Sequence, residues 1–201
     1  MLSKDELLKP LAGLRTDQVV VTCMSVTRPW GRISDHDLDF ASADSAMGHT
    51  ADLALGIALA QPRRRVICLN GDGSMLMSLG TLASIVEADP KNLVLFVLEN
   101  GAYEITGNQP IPGAGRIDFG GLARAAGFPR VYDLAWASDY ETVLPGLLSK
   151  EGPIFVSVQM QRGSEGPISR SQAEEARYLK PSLADWSRSF RKAVTGGRGA
   201  V

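Results

Sequence analysis

The chain has 201 residues, 44% of them apolar, and a formal net charge of −1. That is long and apolar enough to bury a sizeable core, and its near-balanced acids and bases leave no electrostatic footprint for nucleic acid or an anionic membrane. Cys23 and Cys68 sit in apolar runs without CxxC spacing, which argues for a reduced core and against an iron–sulfur cluster; with no apolar signal region and no long apolar span, a cytoplasmic protein is expected.

Residues 3–14 read as a helix, with Ser3 as N-cap, Glu6 at the capping-box position and Pro10 limiting its length. Residues 18–24 are the first core strand, and SVTRPWG at 25–31 is the loop leaving its carboxyl end. Residues 31–44 form a polar, acidic loop in which His36 among aspartates reads as solvated rather than as a metal ligand. Asp52 to Ala60 is a helix with small Gly56, and Arg63 to Arg65 a solvated turn.

The stretch from Val66 to Gln109 carries the densest signal. An apolar run, 66–69, breaks at Asn70-Gly71-Asp72-Gly73; Met75, Leu76, Leu79, Leu82, Ala83 and Val86 then recur at helical spacing until Asp89-Pro90, and a second buried strand, 93–98, empties into Glu99-Asn100-Gly101. Two adjacent parallel strands of this kind bring Asp72 and Asn100 to one carboxyl edge, where open α/β sheets bind ligands. Hard oxygen donors at that edge suit a diphosphate held through Mg²⁺. Gly71 and Gly73 allow close backbone approach, and the N–H groups of Gly73, Ser74 and Met75 open the next helix toward the anion.

Residues 101–118 are too rich in glycine and proline for a regular element and form a loop that carries Tyr103 and Glu104. A helix over 119–128 ends at Gly127, a strand covers 130–133, and a helix with Ser138 as N-cap covers 138–148. An alternating strand, 154–160, is the last. Residues 161–201 are a tail with one amphipathic helix, 182–194, whose stripe of Leu183, Trp186, Phe190 and Val194 docks on the domain. The fold class is α/β, a doubly wound, mainly parallel sheet flanked by helices, in one domain over 1–201 with its core at 15–160.

GDGS at 71–74 followed by NGAY at 100–103 resembles the thiamine diphosphate signature of the 2-oxoacid decarboxylase and acetolactate synthase group, and SAMGHTADLALGIALA at 45–60 resembles the segment that grips the aminopyrimidine. The run NGAYEITGNQP is most similar to sulfopyruvate and phosphonopyruvate decarboxylases. The resemblance implies a thiamine diphosphate-binding fold with Mg²⁺ on Asp72, Asn100 and the Ala102 carbonyl. Met47 becomes the apolar prop of the bent cofactor, with the backbone of Ser45 and Met47 on the pyrimidine and Gly48 beside it. Gly71, Gly73, Ser74 and Tyr103 border the cofactor. Ser25 or Thr27 either reaches the diphosphate or bonds its own turn.

Histidine 49 is then either a proton-transfer or substrate-binding group or a hydrogen-bonded helix start. Glu104 is a second catalytic candidate, and Arg162 and Arg170 are candidates for a second anionic group on the substrate. Glu99 and Glu104 depart from the asparagine and small residue common in the group, which leaves the metal site intact and the substrate open. The implied reaction is decarboxylation of a small anionic 2-oxo acid to an aldehyde. Alternatives are an acetolactate synthase-like carboligase subunit, a non-catalytic cofactor-binding or regulatory subunit, and a 2-oxoacid oxidoreductase subunit, the last disfavoured without cysteine clusters. The activating glutamate of such enzymes lies in a second domain, so a separately encoded pyrimidine-binding subunit is expected, giving a hetero-oligomer, with a homodimer of this chain also open.

Overall fold

The computed structural model describes residues 1–41 and 47–196. Six of its strands form one sheet with every pair parallel: β1 (Val19–Thr22), β2 (Asp39–Ala41), β3 (Val66–Gly71), β4 (Leu93–Glu99), β7 (Arg130–Leu134) and β8 (Ile154–Gln159), in the order β2-β1-β3-β4-β8-β7. The apolar runs 66–69 and 93–97 are wholly buried, as strands covered on both faces must be. Helices α1 (Lys4–Leu14), α2 (Thr27–Ile33), α3 (Thr50–Ala60), α4 (Asp72–Met77), α5 (Thr81–Ala88), α6 (Phe119–Ala126), α7 (Ala137–Ser149) and α8 (Leu183–Thr195) flank it. A short antiparallel pair, β5 (Ala102–Tyr103) and β6 (Gln109–Pro110), stands apart. The order reverses between β1 and β3, which makes their carboxyl ends the crevice expected to bind ligands.

Several elements differ from the sequence reading for identifiable reasons. The loop expected at 25–31 is a 3₁₀ turn, Met24–Val26, running into α2; Trp30 is fully buried and anchors that helix despite Pro29 in its first turn. The acidic stretch contains β2, whose Asp39 is buried, and just before it His36 accepts the Leu38 N–H through Nδ1 at 3.1 Å. Among the described residues no group of three or more His, Cys, Asp and Glu side chains stands close enough to hold a metal ion. Pro10 does not limit α1, because Leu7, Leu8 and Leu11 are buried on both sides of it; the Ser3–Glu6 capping box forms as read. Helix α7 starts from Trp136 rather than Ser138. The single helix expected after Asp72 is two, since Ser78 turns out of helical geometry and gives its hydroxyl to the Gly48 carbonyl.

The tail closes the β2 edge. Trp186 Nε1 donates to the Asp39 carbonyl at 2.9 Å, and the Phe40 and Phe190 rings lie 4.9 Å apart. Beneath α2, the Arg15 guanidinium pairs with Asp39 at 2.7 Å and lies 5.7 Å over the Trp30 ring, while Ser34 Oγ donates to the other Asp39 oxygen at 2.6 Å. No helix of the described residues is long and apolar enough to cross a membrane. Arg15→Met removes one partner of this buried pair and strands a carboxylate, so the denaturation midpoint should fall by the equivalent of about 3–5 kcal/mol with an unchanged denaturant slope.

Candidate functional site

A cleft opens at the reversal point, walled by the Met24–Val26 turn, by Met47, by Gly71 to Ser74, and by the segment from Asn100 to Thr106. Parallel pairing sets Gly71 opposite Leu98, so the turns after β3 and β4 emerge side by side. Asp72 is 2% exposed. Its Oδ1 accepts the Gly73 N–H and its Oδ2 the Gly101 N–H, both at 2.7 Å. Burial raises its pKa above the ordinary aspartate value, against the pull of the N–H groups of Gly101 and Gly73. Among the described residues no cationic side chain lies within ion-pair distance of it. Arg162 acts on it only through space, and a buried carboxylate in no salt bridge is a strong place for a hard cation.

The other two donors of a metal set stand beside it. Ile111 N–H bonds the Gly101 carbonyl, and antiparallel alternation then makes Ala102 and Pro110 a non-hydrogen-bonded pair, so the Ala102 carbonyl points away from β6. Asn100 Oδ1 accepts the Ala102 N–H at 3.0 Å, which leaves its second lone pair. Carboxylate, amide oxygen and backbone carbonyl are the chemistry Mg²⁺ selects, and they sit within one turn region. The residues present fit the ion.

The remaining expected residues divide. Ser74 Oγ accepts the Gly48 N–H at 2.9 Å, and with Ser78 on the Gly48 carbonyl it ties the Met47-Gly48 turn to α4, and Met47 lines the same cleft as Asp72, Asn100 and Ala102. Gly48 has φ +89, and a Cβ there would meet Met77 Cβ at 3.0 Å. Ser25 lines the cleft, whereas Thr27 is buried beneath Tyr178, whose hydroxyl donates to the Thr27 carbonyl. The Gly73 N–H is engaged by Asp72 and not free for an anion, and the space a Gly73 Cβ would need is held by the Tyr103 ring. Ser45 lies outside the described residues.

Histidine 49 stands at the start of α3 with its side chain 74% exposed, Nδ1 at 3.0 Å from Asp52, outside the cleft wall. Glu104 is buried on the wall and paired with Lys4 at 2.6 Å. Arg162 Nε donates to the Asn100 carbonyl at 3.2 Å, beside the metal donors, while Arg170 bonds the carbonyls of Tyr178 and Pro181 and so braces the tail. Sequence reasoning missed Lys4, which enters the cleft from α1, and Cys23 and Met24 at the end of β1. Nothing in the N-terminal pattern marks Lys4. The left-handed φ of +48 at Met24 is equally silent in sequence, for methionine rarely adopts it.

The model of the thiamine pyrophosphate enzyme C-terminal TPP-binding domain matches residues 32–158. The chain belongs to that family. It is 34% identical over 184 residues to the sulfopyruvate decarboxylase subunit beta of Methanothermobacter thermautotrophicus, covering 90% of this chain and 95% of that one. It is 34% identical over 186 residues to the phosphonopyruvate decarboxylase of Streptomyces viridochromogenes, covering 92% of this chain and 44% of the relative. The chain therefore spans less than half the length of the phosphonopyruvate decarboxylases it matches. The solved structure of a thiamine diphosphate-dependent 4-hydroxybenzoylformate decarboxylase from Rhodococcus jostii shares the fold, with a TM-score of 0.66, 24% identity, and coverage of 82% of this chain and 33% of that one.

Packing at Gly73 yields a direct test. An added Cβ would come within 2.5 Å of the Tyr103 ring and 3.1 Å of Ile111, an overpacking that costs about 1–3 kcal/mol. Gly73→Ala should lower the thermal midpoint accordingly. Combining it with Tyr103→Ala should cost less than the sum of the two single changes, because the ring is what the new methyl meets.

Proposed function

We propose that this chain is the diphosphate- and Mg²⁺-holding subunit of a thiamine diphosphate-dependent decarboxylase that acts on a small anionic 2-oxo acid of the sulfopyruvate or phosphonopyruvate kind, releasing CO₂ and an aldehyde. The observation that carries the reading is Asp72, a buried carboxylate in no salt bridge among the described residues, flanked by the Asn100 amide and an outward Ala102 carbonyl. The names of the relatives support the substrate class, and the beta-subunit name supports a separate pyrimidine-binding subunit that contributes the activating glutamate. One thiamine diphosphate-binding domain over 1–201, with its core at 15–160, follows from the same reading.

Thiamine diphosphate, when bound, supplies an electron sink for the pair released as CO₂ leaves. The protein's part is binding and orientation. Asp72, Asn100 and the Ala102 carbonyl hold Mg²⁺, and with it the diphosphate. Met47, pinned through Gly48 by Ser74 and Ser78, presents an apolar wall that would support the cofactor, and a rigid wall of this kind favours a reactive conformer over tighter binding. Tyr103 and Ser25 line the cleft beside them. A cytoplasmic setting is supported by two free, buried thiols, each pushed up in pKa by burial.

Asp72→Ala should abolish Mg²⁺-dependent binding of thiamine diphosphate in calorimetry; unchanged affinity would remove the metal assignment. Met47→Ala should reduce turnover in the reconstituted enzyme more than it reduces cofactor affinity. The purified chain, given thiamine diphosphate, Mg²⁺ and a panel of 2-oxo acids, should turn over only when its copurifying partner is added. Robust turnover by the chain alone would refute the divided site.

A further inference from the structure

Glu104 follows the metal turn directly, yet none of its contacts is with the metal donors' oxygens. Its carboxylate is enclosed, with 1% of the side chain exposed, and three donors converge on it, two of them from distant parts of the chain. Lys4 Nζ, from the first turn of α1, and the Glu165 backbone N–H, from the tail, donate to Oε1 at 2.6 and 2.9 Å. Asn100 Nδ2 donates to Oε2 at 3.1 Å. Gly163 passes so close that a Cβ there would lie 2.5 Å from Oε1 and 2.7 Å from Lys4 Nζ.

A side-chain amide has two ends of opposite character, a carbonyl that can ligate a cation and an NH₂ that repels one. The Glu104 carboxylate accepts on both oxygens, Oε1 from Lys4 and the Glu165 N–H and Oε2 from Asn100. Placed against Asn100, it admits the NH₂ end and turns the oxygen to the opposite side, where Oδ1 stands at the Ala102 N–H. We infer that Glu104 is a positioning residue that fixes the amide of Asn100 with its oxygen toward the metal side, and that Lys4, with the Glu165 N–H, holds the carboxylate by its Oε1 so that Oε2 faces Asn100. The inference rests on the Mg²⁺ reading above and assigns Glu104 no contact with substrate.

The isosteric change Glu104→Gln tests the polarity alone. Glutamine has one acceptor oxygen for three donors, and the ammonium and the Glu165 N–H hold it at the Oε1 position. Its NH₂ then faces Asn100 Nδ2, and the asparagine must invert and present NH₂ to the metal. Mg²⁺ affinity in the presence of thiamine diphosphate, measured by calorimetry on the chain with any copurifying partner, should fall roughly 10–100-fold, as for other residues that orient a ligand from behind. Removing the ammonium in Lys4→Met/Glu104→Gln leaves the Glu165 N–H as the one remaining competitor for the glutamine oxygen, so that oxygen turns to Asn100 in a fraction of molecules and should recover part of the loss.

The melting temperature of the metal-free protein separates positioning from support. A purely structural role would lower the melting temperature in E104Q and leave Mg²⁺ affinity of the folded protein within about twofold of the parent; that result would overturn the proposal, as would a double variant no better than E104Q. If E104Q fails to fold, the double variant, with no unmatched ammonium, carries the test and should still bind Mg²⁺ more weakly than the parent. A parent chain and partner that bind thiamine diphosphate without any dependence on Mg²⁺ would refute the metal reading itself, and this inference with it.

Discussion

The carboxylate of Asp72 accepts one N–H from its own turn and one from the turn after the neighbouring strand, joining the ends of β3 and β4 through a single buried charge. This bond constrains everything around it. It sets the path of Gly101, and hence the level at which Asn100 and Ala102 stand; it opens α4, whose Ser74 then holds Gly48. A cation at this point would relieve the desolvation that the N–H groups relieve only in part, so the same interaction that shapes the cleft also makes it receptive.

The parallel sheet was legible because its central strands are short, uninterrupted apolar runs separated by glycine turns. Residues 66–69 and 93–98 announced both their burial and their common polarity, and with them the carboxyl edge. What escaped was structure fixed by tertiary contacts. Strand β2 is three residues long and carries a charge, and it exists because Arg15, from a distant helix end, neutralises Asp39. Helix α2 starts beside a proline and is secured by a buried tryptophan. The break at Ser78 interrupts a run with good helical spacing, because a hydroxyl is drawn to the Gly48 carbonyl.

The site followed the same division. Asp72, Asn100, Met47 and Ser25 come together around one cleft because each follows a strand end or a glycine turn visible in sequence. Glu104 was legible as a candidate but Lys4 was not, since its role lies in a contact made across 100 residues of chain. His49 illustrates the converse: its position after Met47-Gly48 placed it near the site, but the start of α3 turns its ring toward Asp52 and solvent.

The meeting of Lys4 with the tail has a temporal meaning. Leu2 bridges Met160 beyond the end of β8, and the Glu165 N–H reaches Glu104 from still later in the chain. A nascent polypeptide that has just emerged through Thr106 holds every motif residue from Gly71 onward, yet the sheet lacks β8, and the wall formed by residues 160–165 does not exist. Long-range contacts of this order close late, after the intervening chain is in place. The site is therefore completed after its own signature has been synthesised, and premature termination before residue 165 would release chains bearing all the recognisable motifs and an open, unbraced cleft.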